Sequence, residues 1–318
     1  MFKPFLISTF SCALSMLFLW ALRSAAMRYH ILVKNKVAIV GGVGLAAAVF
    51  LPSLMILSIQ GALTPRALWV PGASLLMLVL GVMDDIREQT VVQKVLIQLL
   101  CTSVLIMGGI RTAFDGLGLW GNVLFTYIWI LGVTNAFNLL DVMDGVTAGA
   151  AFLVLAGILV FLGGADPAAT VFLSSLLGAV AGFCVFNFPP ANIYLGNAGS
   201  HFIGFFLAAI MVQAWMVPGR GISRVVGGVL IFGLPLLEMV LLIVHRSNRR
   251  LWPFQKSDHH LALRLLARGL SKQLALVSLL GIGAFFVLSG LGVGHVNVFW
   301  TAVMGAAIMG VSFCALII

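Results

Sequence analysis

Apolar residues fall in long continuous runs broken by short polar segments, with no alternation from residue to residue. The runs lie at about 3–22, 37–58, 67–83, 95–110, 122–140, 146–163, 168–186, 201–217, 225–244, 274–291 and 297–317. A membrane-spanning helix needs roughly 20 apolar residues, and a spanning barrel strand would alternate. The pattern therefore predicts an all-α polytopic membrane protein, a single domain over 1–318, with eleven spans. Ten is the alternative, because only Gly294-His295-Val296-Asn297 separates the last two runs.

Composition agrees. Apolar residues make up 62% and charged residues 8% of the chain. A soluble domain usually carries about 25% charge, so this chain lacks the polar skin that water demands. The net charge of +9 does not point to nucleic acid, because the basic residues sit in short loops with no aromatic-interleaved basic surface. The four cysteines lie singly within apolar runs and read as small apolar residues.

Charge also sets an orientation. Lys3 alone precedes the first run, while Arg23, Arg28, Lys34 and Lys36 follow it. That order is the reverse of a signal peptide and predicts a retained span with the N-terminus outside. The segments 23–36, 84–94, 141–145, 187–200 and 245–273 then face the cytoplasm and hold 13 of the 18 Lys and Arg. The excess satisfies the positive-inside rule. Pairs such as Gly178 and Gly182 predict close helix packing.

Four polar clusters carry candidate chemistry. In the first, Asp84 and Asp85 end a run, with Lys94 and Gln98 following. Paired acids at a span end attract a divalent ion or act as a base near phosphate; the plainer alternative is a solvated turn with one of them paired to Arg87. In the second, Asn135, Asn138, Asp141 and Asp144 recur every third residue and end at Gly145. On a regular helix that line drifts around the axis, so its polar atoms converge only if the helix loosens near Gly145. Their oxygens suit Mg²⁺ and their amides suit sugar or uracil groups; a polar seam between helices is the alternative.

The third cluster runs from Pro189 to His201. Its turn Gly196-Asn197-Ala198-Gly199-Ser200 opens a helix, where unpaired N–H groups favour phosphate; Ser200 as an ordinary N-cap is the alternative. The fourth is the basic loop 245–273. From His260 onward its pattern predicts a helix on which His260, Arg264 and Arg268 form one basic stripe. Such a stripe faces an anionic substrate or merely grips anionic lipid. Adjacent His259 and His260 make a poor metal pair, because neighbours on a helix diverge. Glu238 is the one acid deep in a run, and is either functional or the partner of a polar helix.

Taken in order, these motifs resemble the polyprenyl-phosphate N-acetylhexosamine-1-phosphate transferase family, which includes the translocase of peptidoglycan synthesis. Gly81 to Asp85 with Lys94 is similar to its first acidic motif, and Asn135 to Gly145 matches Asn-x-x-Asn-x-x-Asp-x-x-Asp-Gly position for position. Gly41-Gly42 resembles an early family element, and eleven spans suit the sugar-phosphate transferase branch. The resemblance implies an enzyme of the bacterial inner membrane with its active site on the cytoplasmic face. It implies a UDP-N-acetylhexosamine donor, a polyprenyl phosphate acceptor from the membrane lipid, release of UMP, and a lipid-linked precursor of a cell-envelope glycan. Mg²⁺ is the implied cofactor, with Mn²⁺ as its substitute, held by Asn138, Asn197 and Asp144. Asp84, Asp85, Asp141 and Asp144 become the catalytic candidates. Lys94, Asn135, Asn138, Gly196, Ser200, His259, His260 and Arg264 become the substrate-binding ones. A homodimer is left open.

Three positions depart from the family pattern. Asn197 stands where Gly-Asp-x-Gly-Ser has its aspartate, a principal Mg²⁺ ligand. Asp258-His259-His260 retains only part of His-x-His-His, and Glu238 stands where Pro-x-x-Asp would place aspartate. A membrane transporter or a non-catalytic binder of lipid phosphate is the competing expectation. It is disfavoured because transporter sites lie near the midplane and these clusters lie at one side.

Overall fold

The computed structural model describes residues 3–216, 222–250 and 259–293. Among the described residues twelve α-helices follow one another: α1 Pro4–Tyr29, α2 Gly41–Ile59, α3 Pro65–Ile86, α4 Val91–Met107, α5 Gly118–Leu140, α6 Val146–Leu162, α7 Pro167–Asn187, α8 Gly196–Trp215, α9 Ile222–Ile231, α10 Gly233–Asn248, α11 Leu261–Ala267 and α12 Lys272–Gly292. A two-residue hairpin, β1 Val33–Lys34 with β2 Val37–Ala38, is the sheet among the described residues. The architecture is all-α and multi-pass.

Seven of these helices are long and apolar enough to cross a membrane, and eight if α9 and α10 count as one span. Helices α4 and α6 have only 17 residues each. Ten of the eleven predicted runs thus lie on helices, but not all as full spans; the run 297–317 lies outside the described residues. The run 225–244 is no straight helix. It bends by 77° between α9 and α10. The cause is local: Pro235 has no N–H to return to the Ile231 carbonyl, and Phe232 leaves the helical region with ψ 15.

Side-chain caps set four of the described helix starts. The Thr64, Asp166 and Ser271 side chains accept from the backbone N–H of Ala67, Ala169 and Leu274, and Thr90 with Gln93 forms a capping box. Helix α8 has no cap from its own N-cap residue, Leu195. It is the central post of the bundle, with 94% of its apolar window buried, packed on α3, α5 and α2. Around it α1 lies along α7 at backbone contact: a Cβ on Gly178 would strike the Ser8 carbonyl, and one on Gly182 would lie 2.7 Å from that of Cys12. The Ser15 hydroxyl donates to the Ala179 carbonyl at 2.8 Å across the same seam.

Candidate active site

The site begins where three helix ends meet without side chains between them. A Cβ on Gly81 would collide with the backbone of Ala198, and one on Gly42 with that of Gly199. The Gly41 and Gly42 N–H groups donate to the Tyr194 and Leu195 carbonyls at 3.1 and 3.0 Å. The end of α3 and the starts of α2 and α8 therefore form one junction.

That approach delivers Asp85 to the start of α8. Its carboxylate accepts from Asn197 N–H at 2.8 Å and from Ala198 N–H at 3.0 Å. A carboxylate is favoured there by the unpaired N–H groups and the positive helix end. Gly196 is required for two reasons: its φ is +74, and a Cβ would lie 2.6 Å from both Asp85 Oδ2 and Ile39 Cγ2. This corrects two expectations. The Asn197 and Ala198 N–H groups are not open to phosphate, because Asp85 already holds them. Ser200 is not the N-cap, since it lies inside α8.

Asp84 is buried and turns the other way. Its Oδ2 meets Lys94 Nζ at 2.6 Å, and its Oδ1 accepts from Gln89 N–H at 2.7 Å. The partner is Lys94, not Arg87, which stays exposed. Two adjacent acids thus do two structural jobs, one as ion-pair partner and one as helix cap.

The second cluster divides after Asn138. The Asn135 amide is paired with Gln98 on α4, donating at 2.8 Å and accepting at 3.3 Å, and it also donates to the Leu131 carbonyl at 2.8 Å. The Asn138 amide donates to Asn197 Oδ1 at 2.9 Å and to Ser200 Oγ at 3.1 Å, which ties α5 to α8. Its own Oδ1 takes no hydrogen bond among the described residues. Helix α5 then stops at Leu140, and Gly145, with φ +82, starts α6. Asp141 and Asp144 stand on the turn between, so the loosening that convergence required occurs five residues ahead of Gly145.

Burial pushes the Asp141 carboxyl up to about 7, and the charges of Asp85 and Asp144 add to the rise. Asp144 accepts from Ala191 N–H at 3.3 Å and lies 4.0 Å from the exposed Lys272 Nζ. Two contributors were not among the predicted site residues. Asn187 accepts from Gly145 N–H and donates to the Ile193 carbonyl, both at 3.0 Å, joining the acidic turn to the loop before α8. Lys272 supplies the nearby cation. The signal for Asn187 was an amide at the end of an otherwise apolar run; for Lys272 it was its place just after the cap Ser271.

The basic loop is where expectation and structure differ most. Helix α11 has only seven residues, with His260 as its N-cap and Arg268 as its C-cap, so the three-residue stripe does not form. His260 is buried, and its Nδ1 lies 2.8 Å from Glu238 Oε1. His259 stacks on His245 with ring centroids 4.0 Å apart. Arg264 lies within α11, which packs on α12 and whose Leu261 and Ala262 belong to the same apolar cluster as Leu140, Met143 and Val146 of the acidic turn. The structure therefore brings Asp84, Asp85, Asn138, Asp141, Asp144, Asn197 and Ser200 to one end of the bundle. Asn135 faces Gln98, and α11 flanks the turn.

Among the described residues, no three His, Cys, Asp or Glu side chains gather closely enough to hold a metal ion. A cation here would draw on a single carboxylate with amide oxygens and on phosphates brought by substrate; Mg²⁺ is commonly held by one or two carboxylates together with substrate phosphates.

The family model for glycosyl transferase family 4 matches residues 67–215, from the start of α3 to the end of α8. That stretch holds every acid and amide of the junction. The chain is thus similar to glycosyl transferase family 4 over just under half of its length. Among its relatives, a probable undecaprenyl-phosphate N-acetylglucosaminyl 1-phosphate transferase of Bacillus subtilis is 28% identical over 226 residues, 68% of this chain and 63% of that protein. A phospho-N-acetylmuramoyl-pentapeptide-transferase of Shouchella clausii is 27% identical over 285 residues, 82% and 84% of the two chains. A putative UDP-N-acetylglucosamine–dolichyl-phosphate N-acetylglucosaminephosphotransferase of Sulfolobus acidocaldarius is 30% identical over 200 residues, 58% and 61%. The match thus spans just under two thirds of the Bacillus and Sulfolobus proteins and most of the Shouchella one.

Proposed function

We propose that this chain is a phosphoglycosyltransferase that moves N-acetylhexosamine-1-phosphate from a UDP-sugar to a polyprenyl phosphate such as undecaprenyl phosphate. The reaction would occur at the cytoplasmic face of a bacterial inner membrane, starting a lipid-linked cell-envelope glycan. The observation that carries this reading is the junction itself. Acids and amides from α3, α5 and α8 converge at one end of an apolar bundle, where an anionic nucleotide and a lipid phosphate can meet. The relatives' names supply the reaction class.

In this reading an oxygen of the polyprenyl phosphate attacks the sugar-bearing phosphorus of the donor. The bond from that phosphorus to the UMP oxygen breaks, and UMP leaves with the electron pair. Such transfer depends mainly on positioning and on neutralising charge. Asp85 and Asn138 fix the frame by joining α3 and α5 to α8. Asp84 holds Lys94 at the rim, where the ammonium faces incoming phosphate. Asp141, with a carboxyl that titrates near neutrality, takes the remaining proton from the acceptor phosphate.

Mg²⁺, or Mn²⁺ in its place, would be held by the amide oxygens of Asn138 and Asn197 and by the Asp144 carboxylate, and would neutralise charge on the diphosphate. Asn197 Oδ1 retains a lone pair beyond the bond from Asn138. The test is UMP release by the purified protein from a panel of UDP-N-acetylhexosamines with undecaprenyl phosphate and Mg²⁺. Release from at least one donor is expected; no UMP from any of them would sink the assignment.

A further inference from the structure

Glu238 has no place in the mechanism above, yet it is among the most buried acids of the chain, 1% exposed. Both of its oxygens are used on one target. Oε1 meets His260 Nδ1 at 2.8 Å, and Oε2 accepts from the Leu261 N–H, the first of α11, at 3.2 Å. Buried Arg246, further along α10, lies within electrostatic reach of the same carboxylate. A two-point clamp of this kind fixes both the ring and the backbone that carries it.

The clamp also decides which ring nitrogen remains. With Nδ1 donating to Glu238, the polar atom left on His260 is Nε2, on the opposite edge of the ring. It has no partner among the described residues. The clamped segment carries Leu261 and Ala262, which share one apolar cluster with Leu140, Met143 and Val146, the residues around the turn that carries Asp141 and Asp144. Glu238 thus reaches the acidic turn through α11, although it touches none of its carboxylates.

We propose that Glu238 is a positioning residue: it sets the His260 ring and the start of α11 so that Nε2 meets the diphosphate of the nucleotide donor. The proposal rests on the UDP-sugar reading above. Groups that orient a histidine in this way are typically worth about 10- to 100-fold in the function they support.

The test is a double-mutant cycle of Glu238→Gln and His260→Ala, read by UDP binding calorimetry with Mg²⁺ and by steady-state UMP release. Each single variant is expected to weaken UDP binding and raise the UDP-sugar KM by about 10-fold or more, with kcat falling less and the polyprenyl phosphate KM unmoved. The double variant should be no worse than His260→Ala alone. If Glu238→Gln does not fold, Glu238→Asp takes its place in the cycle. Unchanged UDP affinity in the Glu238 variant, additive losses, or equal shifts in both KM values would overturn the proposal while leaving the transferase reading intact. UDP binding with this coupling but no turnover would support the clamp and sink the reaction. A wild-type protein that does not bind UDP would overturn both.

Discussion

The two acidic pairs of this molecule have the same composition and opposite conditions. Asp84 and Asp85 are consumed by the fold: one is ion-paired to Lys94, the other caps α8. Asp141 and Asp144 stand on a turn where, among the described residues, their near partners are the Thr147 hydroxyl, one backbone N–H and one distant ammonium. A satisfied carboxylate lends its energy to structure. One with fewer partners, crowded by like charge, keeps it for a ligand or a proton. The difference suggests that the first pair builds the site and the second operates in it.

The sharpest way to break that comparison is to neutralise one acid from each pair. Asp141→Asn should lower the rate of UMP release by about 10²- to 10⁴-fold, the usual worth of a general base, and leave the fold intact. Its stability should respond with a definite sign. Folding raises the Asp141 carboxyl from 3.8 to about 7, so ionising it opposes folding, and stability is lost as pH rises from about 4 to 7. Asp141→Asn should therefore melt higher than the parent at pH 8, a difference that vanishes below pH 4. Asp85→Ala should lose activity and stability together, because it uncaps a buried helix start. If Asp141→Asn destabilised at pH 8, or Asp85→Ala did not, the division of labour would be wrong.

The next effect tests the junction that separates the pairs. Gly81→Ala would force α3 away from the Ala198 backbone, and should cost roughly 1–3 kcal/mol in unfolding experiments. Gly281→Ala on α12, where a Cβ meets nothing within 4 Å, should be neutral or slightly stabilising. The smallest effect concerns Asn197. Asn197→Asp adds a charge at the proposed cation site and should shift the Mg²⁺ titration of UMP release to lower concentration, on the order of tenfold. An unmoved titration would place the cation elsewhere.

Much of the fold was legible because hydrocarbon imposes a simple rule: a segment inside it must be apolar and must satisfy its own backbone. The runs that became α1 to α8 follow that rule. The bend at Phe232 and Pro235 was not legible, since a proline within an apolar run marks only a place where a bend is permitted. For the site, the residue types and their order were readable, and the contacts among them were not. Asp85 on the α8 N–H groups joins residues 112 positions apart, and nothing in the turn at Gly196 announces that its N–H groups are already taken. The basic stripe was misread because i, i+4, i+8 spacing describes an ideal helix; α11 ends after seven residues, and its first histidine turns inward to an acid on another helix.

The seclusion of α8 has a consequence for the membrane around the protein. Helices at the perimeter must adjust tilt or length to bilayers of different thickness. A post enclosed by other helices feels no lipid, so the depth of the residues at its head is set by protein packing. Changes in lipid composition should thus alter the supply of a lipid substrate more readily than they disturb the geometry that receives it.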